Sequence, residues 1–589
     1  MLDSPDVTLE AWLTLAVLVL AVTALAREAY PPSLVVFGAV AVLLGFRVID
    51  ARQAFQGLSN PAPLTVASLY VLARAVDKTG ALQPLVRFTL GSGRSPRLSL
   101  LRLLLPTAAA SALLNNTPIV AMLMPQVSEW ASRSGRSPSR YLMPLSFAAI
   151  LGGMATSIGT STILVVSGLF EAHGLRPLGL FEITRLGLPV GLVGLLLTVL
   201  LAPWLLPERR PARQALSPES VRQFVVCLIV EPRGPLVGKS VEESGLRHLH
   251  GVFLVEIERD DELVLPVGPD TVLHGADRLT FVGKVEEVVD LHRIRGLASP
   301  EEKHLVAFDA ARHSFFEAVV GGASPLLHKT LKQARFRGAY QAAVLAIHRA
   351  GERVSGKLGE VPIRAGDTLL LMADAGFRER YRDRNDFLLV SALGGRPPRA
   401  TTNAWPVACV VLAIVLGAGL GLLPILHVAI LGALALVLLR ILTPGEARNA
   451  VDLDVILVIA GAFGLGAALE SSGLADQVAG LLLLGFGSFG VRGAVLGLAL
   501  STLALSAVAT NYAAAVLIFP IALSAAPRFG ADPRGFGMVV AIAAASTFLT
   551  PLYQTNLMVY GPGGYRFGDY VRLGAPIVLA VVLLLPFLV

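Results

Sequence analysis

SALLNNTPIVAMLMP (residues 111–125) and SAVATNYAAAVLIFP (residues 506–520) are two apolar runs broken in the middle by Asn and Thr and closed by Pro. They superpose at an offset of 395, which pairs Ser111 with Ser506, Asn116 with Asn511 and Pro125 with Pro520. Two further pairs keep the order: GTSTILVVSG (159–168) over LYQTNLMVYG (552–561), and TGAL (79–82) over SGLA (472–475), both at 393. In hydrocarbon every backbone N–H and C=O needs a partner, so a broken helix survives only inside protein or against a polar cavity. Paired breaks in otherwise apolar sequence therefore predict a polytopic α-helical membrane protein of two repeats, each with a re-entrant hairpin and a broken helix.

The sequence around these stretches agrees. Of 589 residues, 54% are hydrophobic and only 15% charged, against roughly a quarter charged in soluble domains. Spans need roughly 20 apolar residues; candidates lie near 9–26, 33–50, 61–76, 100–131, 141–170 and 183–206, then near 404–422, 424–442, 452–470, 491–527, 536–560 and 571–589. The first run follows an acidic segment (Asp3, Asp6, Glu10) and lacks a small-residue cleavage site before Arg27, unlike a signal peptide. Residues 207–403 hold 28 Lys+Arg and 26 Asp+Glu, that is 54 of the 91 charges. The expected organisation is a first transmembrane repeat over 1–206, two soluble modules over 207–300 and 301–403, and a second transmembrane repeat over 404–589.

Basic residues set an orientation. With the insert cytosolic, Arg440, Arg448, Arg566 and Arg572 fall inside and the C-terminus outside. The first repeat, read inverted, puts its acidic N-terminus outside and Arg27, Arg74, Lys78, Arg209 and Arg210 inside, while Arg47 and Arg52 fall on the other side. The protein is expected in a bacterial-type inner membrane. Its slight excess of Arg in short loops is a topology signal and argues against a nucleic-acid-binding surface. Inverted repeats with discontinuous helices are the architecture of secondary transporters.

The breaks also supply the candidate site. The first block offers Asn115, Asn116, Thr117, Gly159, Thr160, Ser161 and Thr162; the second offers Thr510, Asn511, Tyr512, Thr550, Gln554, Thr555 and Asn556. Broken helix N-termini present free N–H groups to an anion, and freed carbonyls and amide oxygens suit a hard cation such as Na⁺. The spans near the motifs carry no carboxylate or His, with Asp77, Asp452, Asp454 and Glu470 at predicted ends. Proton relays in membranes use such groups, so Na⁺ coupling is favoured, with uptake that varies little with pH.

Within the insert, residues 221–292 and 311–390 repeat at an offset of 90: GPLVGKS (234–240) over SPLLHKT (324–330), VEIER (255–259) over LAIHR (345–349), GADRLTF (275–281) over AGDTLLL (365–371). The alternation predicts two small α+β modules, with either a structural or a ligand-sensing role. A Walker A loop would need Gly where Arg233 stands, and no GxGxxG follows a strand, so ATP hydrolysis is not expected. Eight of the ten His lie here without metal-ligand spacing, and Cys227 and Cys409 form no CxxC. No enzymatic activity and no cofactor are expected.

NNTPIVAMLMP, GTSTILVV, TNYAAAVLIFP and TPLYQTNLMVYGPGGYRFGDY resemble the divalent-anion:sodium symporter family of the ion transporter superfamily (citrate/sulfate permease-like), in a branch with two cytosolic TrkA-C (RCK C-terminal) modules. The resemblance implies a homodimeric elevator transporter whose hairpin tips hold the anion and help form two Na⁺ sites. On that pattern Asn115, Asn116, Thr117, Thr510, Asn511 and Tyr512 would contact the anion. Asn116 and Asn511, with the clamp loops Gly159–Thr162 and Thr550–Asn556, would contact Na⁺. The TrkA-C modules would regulate transport, in some cases through a small ligand. Two departures stand out: Tyr512 occupies a tip position where the family has Thr or Asn, and Ile163 occupies the place of the Asn that Asn556 supplies in the other clamp.

The leading expectation is a transporter of a small anion, with sulfate ahead of dicarboxylates. A potassium or other cation permease would require a TVGYG-type filter; YGPGGY (560–565) is the nearest segment. A membrane anion sensor is the third class. Replacing Ile163 by Asn is expected to tighten the Na⁺ dependence of uptake more than it alters the substrate KM, because an amide oxygen joins a loop otherwise made of carbonyls and hydroxyls. Uptake titrated against Na⁺ checks this.

Overall fold

The computed structural model describes residues 8–26, 30–81, 96–209, 225–246, 252–259, 262–264, 267–283, 296–298, 313–321, 324–349, 352–354, 358–374, 376–381, 386–392, 404–508 and 510–589. The chain forms two compact units, one of residues 1–209 with 397–589 and one of residues 210–396. Leu82, at the end of TGAL, lies outside the described residues.

The first unit is helical. Pro96–Ser111 and Asn116–Arg133 make one hairpin, and Gly490–Val508 and Asn511–Arg528 make another. Leu142–Gly153 and Ser161–Ala172 are two halves of one broken span, as are Pro533–Ala545 and Gln554–Tyr560. The long runs near 100–131, 141–170, 491–527 and 536–560 are thus each two pieces with an irregular join. Thr510 opens its helix by accepting from the Ala513 N–H at 3.3 Å, a cap that offsets one orphan donor. Gly80 and Gly473, equivalent in the TGAL and SGLA pairing, both take positive φ (65° and 73°), which only Gly adopts without strain.

Among the described residues four helices are long and apolar enough to cross a membrane: Thr184–Leu205, Leu453–Ser471, Gly490–Val508 and Phe567–Leu588. On Thr184–Leu205 the exposed large apolar residues are Leu188, Leu192, Leu196, Leu200 and Trp204, one stripe at helical spacing that water would not tolerate and lipid would. Three short helices have no counterpart among the expected spans: Ala51–Phe55, Pro444–Ala450 and Leu474–Phe486.

The two halves of this unit interleave. Helix Thr184–Leu205 packs on Phe567–Leu588, Pro61–Thr79 on Ile425–Leu438, and Pro32–Gly45 on Leu453–Ser471. Ion pairs join them too: Lys78 to Glu446 at 2.7 Å, Arg534 to Glu182, and Arg209 to the buried Asp569 at 2.6 Å. Arg209 also donates to the Gly564 carbonyl at 2.6 Å, and the Met143 N–H donates to the Tyr565 hydroxyl at 2.8 Å. The GPGGYRFGDY segment therefore holds the end of the first half.

The second unit holds two antiparallel sheets. Strands β1 (Val225–Val230), β2 (Val252–Arg259), β3 (Glu262–Val264), β4 (Arg278–Gly283) and β5 (Leu297–Ala298) run in the order β3-β2-β4-β1-β5. Strands β6 (His313–Val320), β7 (Ala342–Arg349), β8 (Glu352–Arg353), β9 (Thr368–Asp374) and β10 (Phe387–Ala392) run β8-β7-β9-β6-β10, which is the same order. The likeness extends to side chains 90 residues apart. Arg259 forks onto Asp277 with both bonds at 2.8 Å and reaches the Val272 carbonyl, and Arg349 does the same to Asp367 and the Pro362 carbonyl. Each Asp is buried, at 1% and 0% exposure, and also accepts a backbone N–H, from His274 or Arg364. Apolar residues of each sheet, such as Leu279 and Phe281 or Leu369 and Leu371, fill a separate core.

Removing one partner of a buried pair leaves an uncompensated charge, at a cost of about 3–5 kcal/mol. Partial exposure of the Arg side chains, 27% for Arg259 and 28% for Arg349, lowers that to roughly 2–3 kcal/mol. Asp367→Ala in the full-length protein is expected to speed tryptic cleavage within the second sheet by about a hundredfold, because cleavage follows the open population. Asp277→Ala should do the same to the first sheet, and digestion time courses of both variants check this.

Candidate functional site

The site is assembled where the two hairpin tips meet the two broken spans. At the first tip the Asn116 amide is 1% exposed. It satisfies its neighbours with its nitrogen donating to the Ala149 carbonyl (2.9 Å), the Gly159 carbonyl (3.2 Å) and Ser111 Oγ (2.7 Å), and its oxygen accepting from the Tyr553 hydroxyl (3.2 Å). One side chain thus ties the tip to both halves of the first broken span and to the second. The fit leaves no room for a side chain at Gly153, where a Cβ would stand 2.3 Å from the Asn116 amide.

The flanking residues extend these ties. Asn115 Nδ2 donates to Ser161 Oγ at 3.2 Å, Thr117 Oγ1 donates to Gln554 Oε1 at 3.2 Å, and Thr156 donates to the Ala112 carbonyl. At the second tip Ser506 Oγ lies 3.3 Å from Asn511 Oδ1, repeating the Ser111–Asn116 contact, and also 3.0 Å from the Ala544 carbonyl. The Tyr512 hydroxyl lies close to the Ser161 side chain. Tyr553 reaches Thr160 as well as Asn116. All four interruptions of the helical backbone are therefore linked by side-chain hydrogen bonds.

Asn556 holds the second break from within. Its Nδ2 donates to the carbonyls of Thr547 (2.7 Å) and Thr550 (2.9 Å), its Oδ1 accepts from Ser146 Oγ (2.7 Å), and its own carbonyl accepts from Tyr570 (2.8 Å). Thr550 accepts from the Leu552 N–H at 3.2 Å. Ile163 is fully buried, and so is Thr162 at 1% exposure. In the first break the backbone carbonyl of Gly159 is instead held by Asn116 from the hairpin.

Four buried polar atoms here have no hydrogen-bond partner among the described residues: Asn511 Nδ2, Ser157 Oγ, Thr547 Oγ1 and Thr555 Oγ1. Unsatisfied buried polar atoms are rare and call for a ligand, ion or water. Hydroxyls can meet either an anion or a hard cation. The amide nitrogen of Asn511 only donates, so it fits an acceptor such as an oxyanion.

Every sequence-predicted residue lies at these tips or breaks. Two neighbours, Tyr553 and Tyr70, were not anticipated, and a third, Asp452, was expected at a span end. Tyr553 sits between the first tip and both clamps, and Tyr70, on helix Pro61–Thr79, lies close enough to Tyr512 and Tyr553 to interact electrostatically. Asp452 caps helix Leu453–Ser471 by accepting from the Asp454 and Val455 N–H groups, and it acts on Tyr70 and Tyr512. Asp452 is thus one of the carboxylates expected at a span end, here at the start of helix Leu453–Ser471. Tyr553 stood inside a quoted motif, and its equivalence to Thr160 at the offset of 393 was the available signal.

The family model described as "Citrate transporter" matches residues 18–543. A Chlamydomonas reinhardtii protein bearing the name "Putative sulfur deprivation response regulator" is 36% identical over 92% of this chain and 94% of its own length. An uncharacterized transporter of Synechocystis is 34% identical over 98% of this chain and 96% of its own. Sodium/sulfate cotransporter 1 of Chlamydomonas reinhardtii is 25% identical, over 91% and 85%. With a family match across most of its length and two relatives above 30% identity along nearly all of both chains, this apolar, helix-rich protein belongs to the citrate transporter family of membrane transporters.

Proposed function

We propose that this protein is a Na⁺-coupled transporter of a small divalent anion, with sulfate as substrate. The observation that carries the reading is the convergence of both hairpin tips and both broken spans on one hydrogen-bonded cluster that includes an unpartnered amide donor at Asn511. The names of the sodium/sulfate cotransporters favour sulfate and Na⁺. In this reading Asn115, Asn116, Thr117, Thr510, Asn511 and Tyr512 bind the anion. Two Na⁺ ions sit at the loops Gly159–Thr162 and Thr550–Asn556, sharing Asn116 and Asn511. The cations offset the anion's charge where no Arg or Lys is among the site residues.

The two halves act as inverted repeats in an elevator, with the hairpins and broken spans moving against the remaining helices, in a homodimer. Residues 207–300 and 301–403 form two cytosolic TrkA-C-type modules that bias this motion, through a small ligand if one binds. A ligand shifts such an equilibrium only by its different affinity for the two states. A sensor of sulfur supply is the second reading. It is favoured by the name of one relative, and it predicts sulfate binding without net flux.

Asn116→Ala and Asn511→Ala are each expected to abolish uptake of labelled sulfate into Na⁺-energised proteoliposomes, or to raise its KM more than tenfold. A hydrogen bond to a charged group is worth about 1.5–3 kcal/mol. Wild-type kinetics in both would remove these residues from the site. Replacing residues 207–403 with a flexible linker should alter the maximal rate and preserve the order of anion preference. A folded but inactive deletion would make the insert part of the working scaffold.

A further inference from the structure

We propose that two tyrosines donated by the second half, Tyr512 and Tyr553, close the site around a compact, fully ionised tetrahedral oxyanion and exclude extended dicarboxylates. The proposal rests on the transport reading above and adds the residues that set its selectivity.

The two halves differ at equivalent positions of the site. At the offset of 395 Tyr512 is equivalent to Thr117, and at the offset of 393 Tyr553 is equivalent to Thr160. In both places the first half has a short hydroxyl and the second half has the same hydroxyl carried at the end of a benzene ring. Tyr553 uses that extra length to cross the gap, its hydroxyl lying 3.2 Å from the Asn116 amide of the first tip, and Tyr512 comes close to Ser161 of the first half. The rings occupy the volume that two short side chains would have left open. Direct contacts from Asn115 to Ser161 and from Thr117 to Gln554 tighten it further.

Chemistry then selects among anions. A four-carbon dicarboxylate carries its charges at opposite ends and needs two separated groups of donors. The phenols gather the donors into one cluster, which matches four equivalent acceptor oxygens on a single centre. Phenols remain protonated at neutral pH; the Tyr553 O–H is given to the Asn116 oxygen, so the Tyr512 O–H is the one that can donate to an anion that carries no proton. Protonated phosphate would also need an acceptor for its own O–H, in competition with Na⁺ for the carbonyl and amide oxygens of the site, and a polar group left unpaired in a closed site is costly.

Uptake of labelled sulfate by the full-length protein in Na⁺-energised proteoliposomes, in competition with selenate, succinate and phosphate, tests this. Wild type is expected to be inhibited by selenate and at least about a hundredfold less by succinate. Tyr512→Thr, which installs the first half's residue, should narrow the gap between sulfate and succinate by about tenfold or more. Tyr512→Phe, which keeps the ring, should retain exclusion of succinate while raising the sulfate KM about tenfold. Succinate competing as well as sulfate in wild type, an unchanged preference in Tyr512→Thr, or an unchanged sulfate KM in Tyr512→Phe would overturn the proposal and leave the transport reading intact. If wild type moves none of these anions with Na⁺, the transport reading itself fails and the selectivity argument falls with it.

Discussion

A helix interrupted at membrane depth must find partners for the backbone groups it releases, and every feature of the site follows from how this protein does so. The protein uses neutral amides and hydroxyls. Asn116 ties the first tip to the carbonyls of Ala149 and Gly159, and Asn556 ties its own break together through Thr547 and Thr550. Neutral groups cost less to bury than charges. They also leave the local field to be set by what enters, so an anion and a cation stabilise each other there better than either alone. That is the physical root of coupling in the proposed function: in such a site neither ion is well bound without the other.

The same constraint explains why the two halves cannot be separated. The first tip is completed by Tyr553 and Gln554 from the second half, and the second tip reaches Ser161 in the first. Around this centre, Arg209 on Asp569 and the Tyr565 hydroxyl on Met143 fasten the GPGGYRFGDY segment to the first half. Residues that look like a family signature are thus buried ties between halves far apart in the chain.

How much of this the sequence disclosed depended on the kind of signal. Asn, Gly and Pro inside apolar runs conflict with a continuous span, so the hairpins and breaks were readable where they occur, and the recurrence at 395 and 393 pointed to Asn116 and Asn511 together. Likewise the offset of 90 in the insert paired VEIER with LAIHR and GADRLTF with AGDTLLL, and the folded chain turns each pair into an Arg clamped on a buried Asp. Contacts between distant segments left no such trace. Tyr70 lies on an ordinary amphipathic stretch of helix, and Asp452 looks like a surface cap until the fold places it near Tyr70 and Tyr512. The short helix Leu474–Phe486 begins with Asp476 and Gln477, which masked it among the apolar runs.

The central claim is that four separate chain segments make one ligand site. Hydrogen exchange on the full-length protein tests it most directly, with sulfate and Na⁺ added singly and together. The account predicts that the two ions together slow exchange in peptides covering residues 111–120, 154–165, 506–515 and 546–558 at once, with little effect from either ion alone. Protection confined to one of these segments, or protection by sulfate that is indifferent to Na⁺, would contradict it.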